Sequence, residues 1–212
     1  RFVDTTLRDG SQSLWALAMS TSMMLPVASR FNEAGFAAVE LTAPAHFKTI
    51  VRELREDPWE RIRLMSREVT SAPLAVMQHC SIIGFRIVPT SLAQLWMQRL
   101  AANGIRRVHL MEASNDFGLR VPDYVRFATD AGMEVALALT YSISPKHTDE
   151  YYAQKTRDAV ALKVPAIFLK DPGGLLTPER TRTLVPAILR NAGKTPVEFH
   201  SHCTTGLAPL CY

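Results

Sequence analysis

The sequence predicts an α/β fold, a (β/α)8 TIM barrel, of which strands one to seven are present in this chain. Apolar, strand-like runs alternate with amphipathic, helix-like stretches along all 212 residues, as in parallel strands joined by helices. A glycine follows several helix-like stretches just before the next strand, as Gly35, Gly104 and Gly132 do. No Gly-rich dinucleotide-binding turn follows the first strand, which disfavours the alternative, a doubly wound open sheet.

The predicted elements follow one another without interruption. The strands are residues 2–7, 37–41, 73–78, 107–111, 134–139, 165–169 and 197–200. The helices are residues 21–33, 47–65, 90–103, 122–131, 146–162 and 177–191. Thr177 followed by Pro178 is a typical helix start, with a hydroxyl at the cap and proline in the first turn.

The pattern predicts one domain over residues 1–212. No linker-like change of composition and no low-complexity tract divides it. A closed barrel needs an eighth strand and typically about 250 residues. We therefore expect the barrel to be incomplete at the C-terminus and the chain to be a fragment of a longer polypeptide.

Composition and charge exclude several classes of protein. The net charge is +4, and the Lys and Arg residues are interspersed with acids, so a nucleic-acid surface is not expected. No apolar run reaches the roughly 18 residues of a membrane helix, and no secretory signal is expected. The three cysteines, Cys80, Cys203 and Cys211, lack zinc-finger spacing, and their odd number suits a reducing compartment such as the cytoplasm.

Arg8 and Asp9 stand where the first predicted strand ends. Asp9 offers a hard oxygen ligand for a metal, and Arg8 offers a planar fork for a carboxylate or enolate oxygen. A surface ion pair before a turn is the alternative, since such pairs are common.

His200 and His202 end the seventh predicted strand. Residues two apart in an extended chain point to the same face, so both imidazoles can reach one ion. The alternative is two independent histidines, one buried and one exposed.

Lys170 follows the apolar sixth strand, where partial desolvation would lower its pKa and favour a neutral amine. Such an amine can act as a nucleophile, a base, or, after reaction with carbon dioxide, a carbamate ligand. The alternative is a lysine that extends from the strand end into solvent.

These side chains come from separate strands whose carboxyl ends meet at one mouth in a barrel. We therefore predict one divalent-metal site, and the donor set suits zinc, manganese or cobalt equally well. Its ligands would be Asp9, Lys170, His200 and His202.

Four segments carry a family resemblance that covers essentially the whole chain. They are Asp-Thr-Thr-Leu-Arg-Asp at 4–9, Glu-Asp-Pro-Trp-Glu-Arg-Ile-Arg at 56–63, Lys-Asp-Pro-Gly-Gly-Leu-Leu at 170–176 and Phe-His-Ser-His-Cys-Thr-Thr-Gly at 199–206. The chain resembles the carboxyltransferase domain of pyruvate carboxylase, the oxaloacetate decarboxylase α subunit and the central subunit of transcarboxylase. Their superfamily includes isopropylmalate synthase and hydroxymethylglutaryl-CoA lyase, which lack the lysine of the third segment.

The resemblance implies a metal-dependent carboxyltransferase or decarboxylase that works through an enolate. Asp9, His200, His202 and a carboxylated Lys170 would bind the metal, a Lewis acid near the enolate. Arg8 and Gln12 would hold the substrate and, with Lys170, form the catalytic set. Biotin on a carrier domain or protein would deliver the carboxyl group to a small carboxylic acid, keto acid or acyl thioester. A homo-oligomer is expected.

The predicted substrate pocket departs from the family pattern. Gln78 stands where these carboxyltransferases have an arginine that helps to hold pyruvate, and Cys203 replaces an aspartate beside the histidine pair. We therefore expect enolate chemistry on a substrate other than pyruvate, with Gln78 among the substrate-binding residues. Two alternatives remain: a biotin-independent carbon–carbon lyase or Claisen-type synthase, and a non-catalytic barrel subunit.

Overall fold

The computed structural model describes residues 1–81 and 87–211. Within these ranges the strands are β1 (Val3–Asp4), β2 (Ala38–Thr42), β3 (Leu74–His79), β4 (Arg107–Met111), β5 (Glu134–Thr140), β6 (Ala166–Asp171) and β7 (Val197–Ser201). The α-helices are α1 (Ser11–Leu14), α2 (Thr21–Ala28), α3 (Phe31–Ala34), α4 (Pro44–Arg52), α5 (Pro58–Glu68), α6 (Thr90–Asn103), α7 (Val121–Asp130), α8 (Asp149–Ala161), α9 (Pro178–Ala192) and α10 (Ala208–Cys211).

The strands follow one another in a single sheet in chain order, from β1 to β7. By its contacts the chain divides into two compact units, Arg1–His109 with Arg126–Glu134, and Leu110–Val125 with Val135–Tyr212. The alternation of strands and helices that the sequence predicts is confirmed.

In the first unit, β1 pairs with β2 and β2 pairs with β3, both in parallel. All five residues of β2 are buried, including the charged Glu40. The β2–β3 register shifts between Glu40 and Thr42, so the pairing is irregular near the carboxyl end of β2. Glu40, a charged residue of the candidate site, lies at this irregularity.

In the second unit, β5 pairs with β6 and β6 pairs with β7, again in parallel. All six residues of β6 are buried, including Lys170 and Asp171. A strand buried on both faces reads as a continuous apolar run, which explains why the sequence indicated β6 so clearly.

The first strand is shorter than predicted, since it comprises only Val3–Asp4 instead of residues 2–7. The Asp4 carboxylate accepts hydrogen bonds from the backbone N–H and the hydroxyl of Thr6, at 3.0 and 2.9 Å. The chain then winds into a π-helical turn over Thr6–Gly10. Local side-chain bonding of this kind competes with strand pairing and ends β1 early.

Two predicted helices are each divided. Residues 47–65 form parts of α4 and α5, because Arg55 has a positive φ of 56° and the Asp57 carboxylate accepts from the Trp59 N–H as the cap of a new helix. Residues 21–33 divide into α2 and α3, and Pro26 lacks the N–H for a helical bond in α2.

Among residues 1–81 and 87–211, no helix combines the length and the apolar character needed to cross a membrane.

Candidate metal and substrate site

The π-helical turn over Thr6–Gly10 positions Arg8 and Asp9. The N–H groups of Asp9 and Gly10 both donate to the carbonyl oxygen of Thr5, at 2.7 and 3.1 Å. This arrangement buries Arg8 and Asp9, with Arg8 only 4% exposed. Single π-helical turns are frequent at functional sites, because the extra residue turns side chains in a direction that a regular helix does not allow.

The Arg8 guanidinium binds two carboxylates through one side of its fork. Its Nε donates to Glu40 Oε2 at 2.5 Å, its Nη2 lies 2.5 Å from the same oxygen, and Nη2 lies 3.3 Å from Asp9 Oδ2. The described contacts of Arg8 do not use Nη1. Both N–H groups of Nη1 can therefore donate to a ligand.

Glu40 also contacts His109, with Oε1 at 2.5 Å from Nδ1 of the imidazole. Burial alone would raise the pKa of Glu40, but the His109 hydrogen bond and the charge of Arg8 outweigh it and lower the pKa to about 2. Glu40 is therefore ionised at neutral pH. It joins Arg8 to His109 in a buried chain of charge-assisted hydrogen bonds.

His46, in the first turn of α4, contacts the backbone of Arg8. Its Nε2 lies 3.1 Å from the Arg8 carbonyl oxygen, and the side chain is fully buried. Burial lowers the pKa of His46 to about 4, so the ring is neutral at physiological pH. A neutral ring that donates from Nε2 holds the backbone of the turn while Glu40 holds the Arg8 side chain.

Lys170 lies near the carboxyl end of β6, in the second unit. Its Cα partners are Thr140 on β5 and His200 on β7, and its carbonyl oxygen accepts from the Tyr141 N–H at 2.7 Å. The residue is only 4% exposed. The predicted desolvation of Lys170 is confirmed, whereas extension into solvent is not observed.

His200 and His202 lie close together at the carboxyl end of β7. Their ring centroids are 5.2 Å apart, with the ring planes inclined at 67°. His202 follows the last residue of the strand, and its N–H donates to the Asp171 carbonyl oxygen at 3.3 Å. The two imidazoles can approach one ion together, as the two-residue spacing predicts.

The loops after β6 and β7 are joined by hydrogen bonds. Thr204 Oγ1 donates to the Gly173 carbonyl oxygen at 2.5 Å, and Thr205 Oγ1 donates to that of Gly174 at 2.7 Å. Gly174 has a φ of +60°, and a Cβ there would lie 2.6 Å from the Thr204 backbone nitrogen. Only glycine fits this position without moving the segment that follows His202.

Gln78 is fully buried at the end of β3. Its amide nitrogen donates to the carbonyl oxygens of His79 and Ser81, at 2.5 and 2.9 Å, and its amide oxygen accepts from Trp96 Nε1 at 2.8 Å. The amide thus bonds to protein groups on both sides. Gln12, by contrast, is exposed on α1.

The family model described as HMGL-like matches residues 1–209. The chain belongs to the HMGL-like family. The predicted superfamily, which includes hydroxymethylglutaryl-CoA lyase, is thereby confirmed.

Curated relatives of this HMGL-like chain include a carboxylase subunit and a carboxyltransferase subunit. The chain is 36% identical to a pyruvate carboxylase subunit of Methanocaldococcus jannaschii, over 100% of its own length and 37% of the relative. It is 29% identical to the methylmalonyl-CoA carboxyltransferase 5S subunit of Propionibacterium freudenreichii subsp. shermanii, over 98% of its length and 41% of the relative. The chain thus spans well under half of the curated relatives it matches.

A solved structure shows the same fold. The carboxyl transferase domain of Rhizobium etli pyruvate carboxylase, determined with pyruvate and biocytin, matches with a TM-score of 0.91 and 26% identity. The match covers 97% of the HMGL-like chain and 36% of that chain. The predicted fold class and the predicted carboxyltransferase family are both confirmed.

Sequence reasoning missed Glu40, His46 and His109. A signal existed for two of them, because Glu40 and His109 each stand between two apolar residues of a predicted strand, where an unpaired charge is costly. His46 lies in a helix and gave no such signal.

Proposed function

We propose that this chain is the carboxyltransferase part of a biotin-dependent enzyme. Carboxybiotin, when bound, would supply the carboxyl group as carbon dioxide and take up the proton that the acceptor acid loses. The resulting enolate carbon would then form the new carbon–carbon bond. The observation that carries the proposal is the buried Lys170 beside His200, since the related synthases and lyases lack this lysine.

We further propose that Asp9, Lys170, His200 and His202 hold one divalent metal ion, zinc, manganese or cobalt. Support comes from the donor chemistry of Asp9, His200 and His202, a group that could hold an ion. A buried lysine fits the set as a carbamate, because carboxylation turns its amine into an anionic oxygen ligand. When bound, the metal would supply Lewis acidity next to the enolate oxygen.

Arg8 is the proposed anchor for the acceptor. Its Nε and Nη2 are held by Glu40 and Asp9, which leaves Nη1 to bind a carboxylate or a developing enolate oxygen. Gln12 is exposed one turn further along and is proposed to assist Arg8. Lys170 completes the proposed catalytic set through the metal.

The acceptor is proposed to be a small acid, keto acid or acyl thioester other than pyruvate. The support is Gln78, a neutral residue at the position of the family's pyruvate-binding arginine. A lost charge-assisted hydrogen bond at this position would weaken pyruvate binding by about 1.5–3 kcal/mol. The same observation favours a second candidate, a biotin-independent carbon–carbon lyase or Claisen-type synthase.

The proposed partner is a biotin carrier domain or protein, and the proposed compartment is the cytoplasm. The relatives from Methanocaldococcus jannaschii and Propionibacterium freudenreichii are each named as one subunit of an enzyme, which supports a separate carrier. Cys80, Cys203 and Cys211 form no disulfide, as a reducing compartment requires. A homo-oligomer is proposed as well, and sedimentation of the full-length protein tests it.

An exchange assay separates the two candidate functions. The full-length protein, supplied with its biotin carrier and with zinc, manganese or cobalt in turn, is tested for transfer of labelled carboxyl groups to keto acids and acyl-CoAs. Transfer to at least one acceptor, abolished by avidin, is expected. Cleavage or condensation of a thioester without biotin would instead establish the second candidate. A protein that lacks stoichiometric metal and shows neither activity would contradict both candidate functions. The remaining alternative would then be a non-catalytic barrel subunit.

A further inference from the structure

Hydrogen bonds link Arg8 to Glu40 and Glu40 to His109. The proposed function gives Arg8 a role but gives none to His109. His109 lies on β4, is only 5% exposed, and contacts Glu40 Oε1 through Nδ1 at 2.5 Å. Glu40, only 1% exposed, uses its other oxygen for Arg8. The two oxygens of one carboxylate therefore connect an imidazole to a guanidinium.

We propose that His109 is a positioning residue for the acceptor site, which fixes the orientation of the Arg8 guanidinium by holding Glu40 in one rotamer. The inference rests on the proposed function, because it takes Arg8 as the group that binds the acceptor.

A buried carboxylate needs a donor for each oxygen, since an unsatisfied oxygen costs free energy. If His109 lost its donor, Glu40 Oε1 would have to find another, and the Arg8 fork is a neighbouring source of N–H groups. The carboxylate would rotate toward Arg8 and engage more of its fork.

This rotation of Glu40 would affect Nη1 of Arg8, the nitrogen that the described contacts do not use. In the described structure Glu40 uses Nε and Nη2, and Asp9 also contacts Nη2. If Glu40 bonded to more of the Arg8 guanidinium, Nη1 would turn away from its present direction. Binding of a planar carboxylate depends on the direction of both N–H groups, so affinity for the acceptor would fall.

His46 limits this motion to the side chain of Arg8. It contacts the Arg8 carbonyl oxygen at 3.1 Å and so fixes the backbone of the π-helical turn from another direction. Loss of the His109 contact would therefore rotate the guanidinium and leave Asp9 in its position on the turn. Acceptor binding and metal binding should respond differently to His109.

Two substitutions separate the hydrogen bond from the packing. His109→Phe keeps a ring of similar size but removes the donor, whereas His109→Asn leaves a cavity but places an amide N–H near the position of Nδ1. If packing were the role of His109, asparagine would be the worse replacement. If the role of His109 is to donate a hydrogen bond, phenylalanine is the worse replacement.

The expected kinetic result uses the acceptor that the exchange assay identifies. His109→Phe should raise KM for the acceptor by about tenfold to a hundredfold, the loss expected for one hydrogen bond to a charged group, with a smaller change in kcat. His109→Asn should restore most of the loss. Metal content should stay that of the wild type in both variants.

A spectroscopic measurement tests the proposed role of His109 even in a protein that shows no activity. The Arg8 Nε–H resonance, assigned by its absence in Arg8→Lys, should be shifted downfield and exchange slowly in the wild type and in His109→Asn, and should move in His109→Phe. Equal resonances in all three, or a more active Phe than Asn variant, would overturn the proposal. An inactive wild type with the expected resonances would instead refute the proposed function alone.

Discussion

Lys170 on β6 and His200 on β7 are direct partners across two parallel strands. Directly opposed residues of adjacent strands lie on the same face of a sheet, so a modified lysine and an imidazole can share a ligand without rearrangement of the backbone. Hydrogen bonds fix the backbone at this level, from Tyr141 N–H to the Lys170 carbonyl oxygen and from His202 N–H to that of Asp171. Three of the four proposed ligands, Lys170, His200 and His202, are thus preorganised within the second unit.

Substitution of Lys170 should remove metal as well as activity. Because the side chain is buried and its carbamate is the proposed ligand, Lys170→Ala should lower metal affinity by about 10- to 100-fold. Metal titration gives the affinity, and native mass spectrometry at neutral pH, where a carbamate is stable, should show one added carbon dioxide on the wild type. Lys194→Ala, at an exposed lysine of the same unit, is the matched control. A full metal content in Lys170→Ala would exclude the carbamate ligand.

Loss of either imidazole should weaken metal binding further. His200→Ala and His202→Ala should each lower metal affinity by about a hundredfold, because a divalent ion loses a direct ligand. Competition titration with a chromogenic chelator measures the change. The control is His147→Ala, which removes an imidazole of the second unit that contacts Ser144 instead. Two histidines that do not share an ion would leave the affinity of both site variants unchanged.

Acidification should reduce stability through His46. Its pKa is about 4 in the folded protein against an ordinary 6.5, so between these values the unfolded chain binds a proton that the folded chain does not. The free energy of unfolding should therefore fall as the pH drops from 6.5 to 4, by up to about 3 kcal/mol. Denaturant unfolding across this range measures it.

His46→Gln tests this assignment. Glutamine can place a neutral N–H near the position of Nε2. The variant therefore retains a donor for the Arg8 carbonyl oxygen but does not titrate. The variant should lose the fall between pH 6.5 and 4 and keep the separate fall due to Glu40, whose pKa moves from 4.5 to about 2. Parallel pH profiles for the variant and the wild type would contradict the assignment.

The bond between Trp96 and Gln78 should contribute to stability. Trp96→Phe removes the indole donor to Gln78 Oε1 but keeps an aromatic ring beside Phe47 and Trp59. The expected loss is about 1–3 kcal/mol in the free energy of unfolding, because the fully buried Gln78 is left with an unsatisfied oxygen. Trp59→Phe, in the same aromatic cluster, is the control; a loss of equal size there would assign the effect to ring packing.

The strands could be predicted from the sequence because their signal is local. The buried strand β6 reads as an unbroken apolar run that ends in Lys170, and the spacing of His200 and His202 fixes their common side. Both features depend on residues adjacent in the chain, where periodicity is informative.

The hydrogen bonds from Arg8 to Glu40 and from Glu40 to His109 could not be predicted in the same way. Glu40 and His109 meet across 69 positions of sequence, and nothing local states that a strand glutamate and a strand histidine will pair. The π-helical turn was missed for a related reason. Its formation depends on the Asp4 side chain, which bonds to Thr6 and ends β1 where the apolar pattern would continue it.

Gly174 has a consequence for how this protein can change over evolution. Any side chain there would collide with the backbone of Thr204, which stands two positions after His202. The loop after β6 and the loop after β7 are therefore not free to vary separately: a substitution in one needs a compensating change in the other. Lineages that alter the acceptor should vary the walls around Gln78 long before they vary this pair of loops.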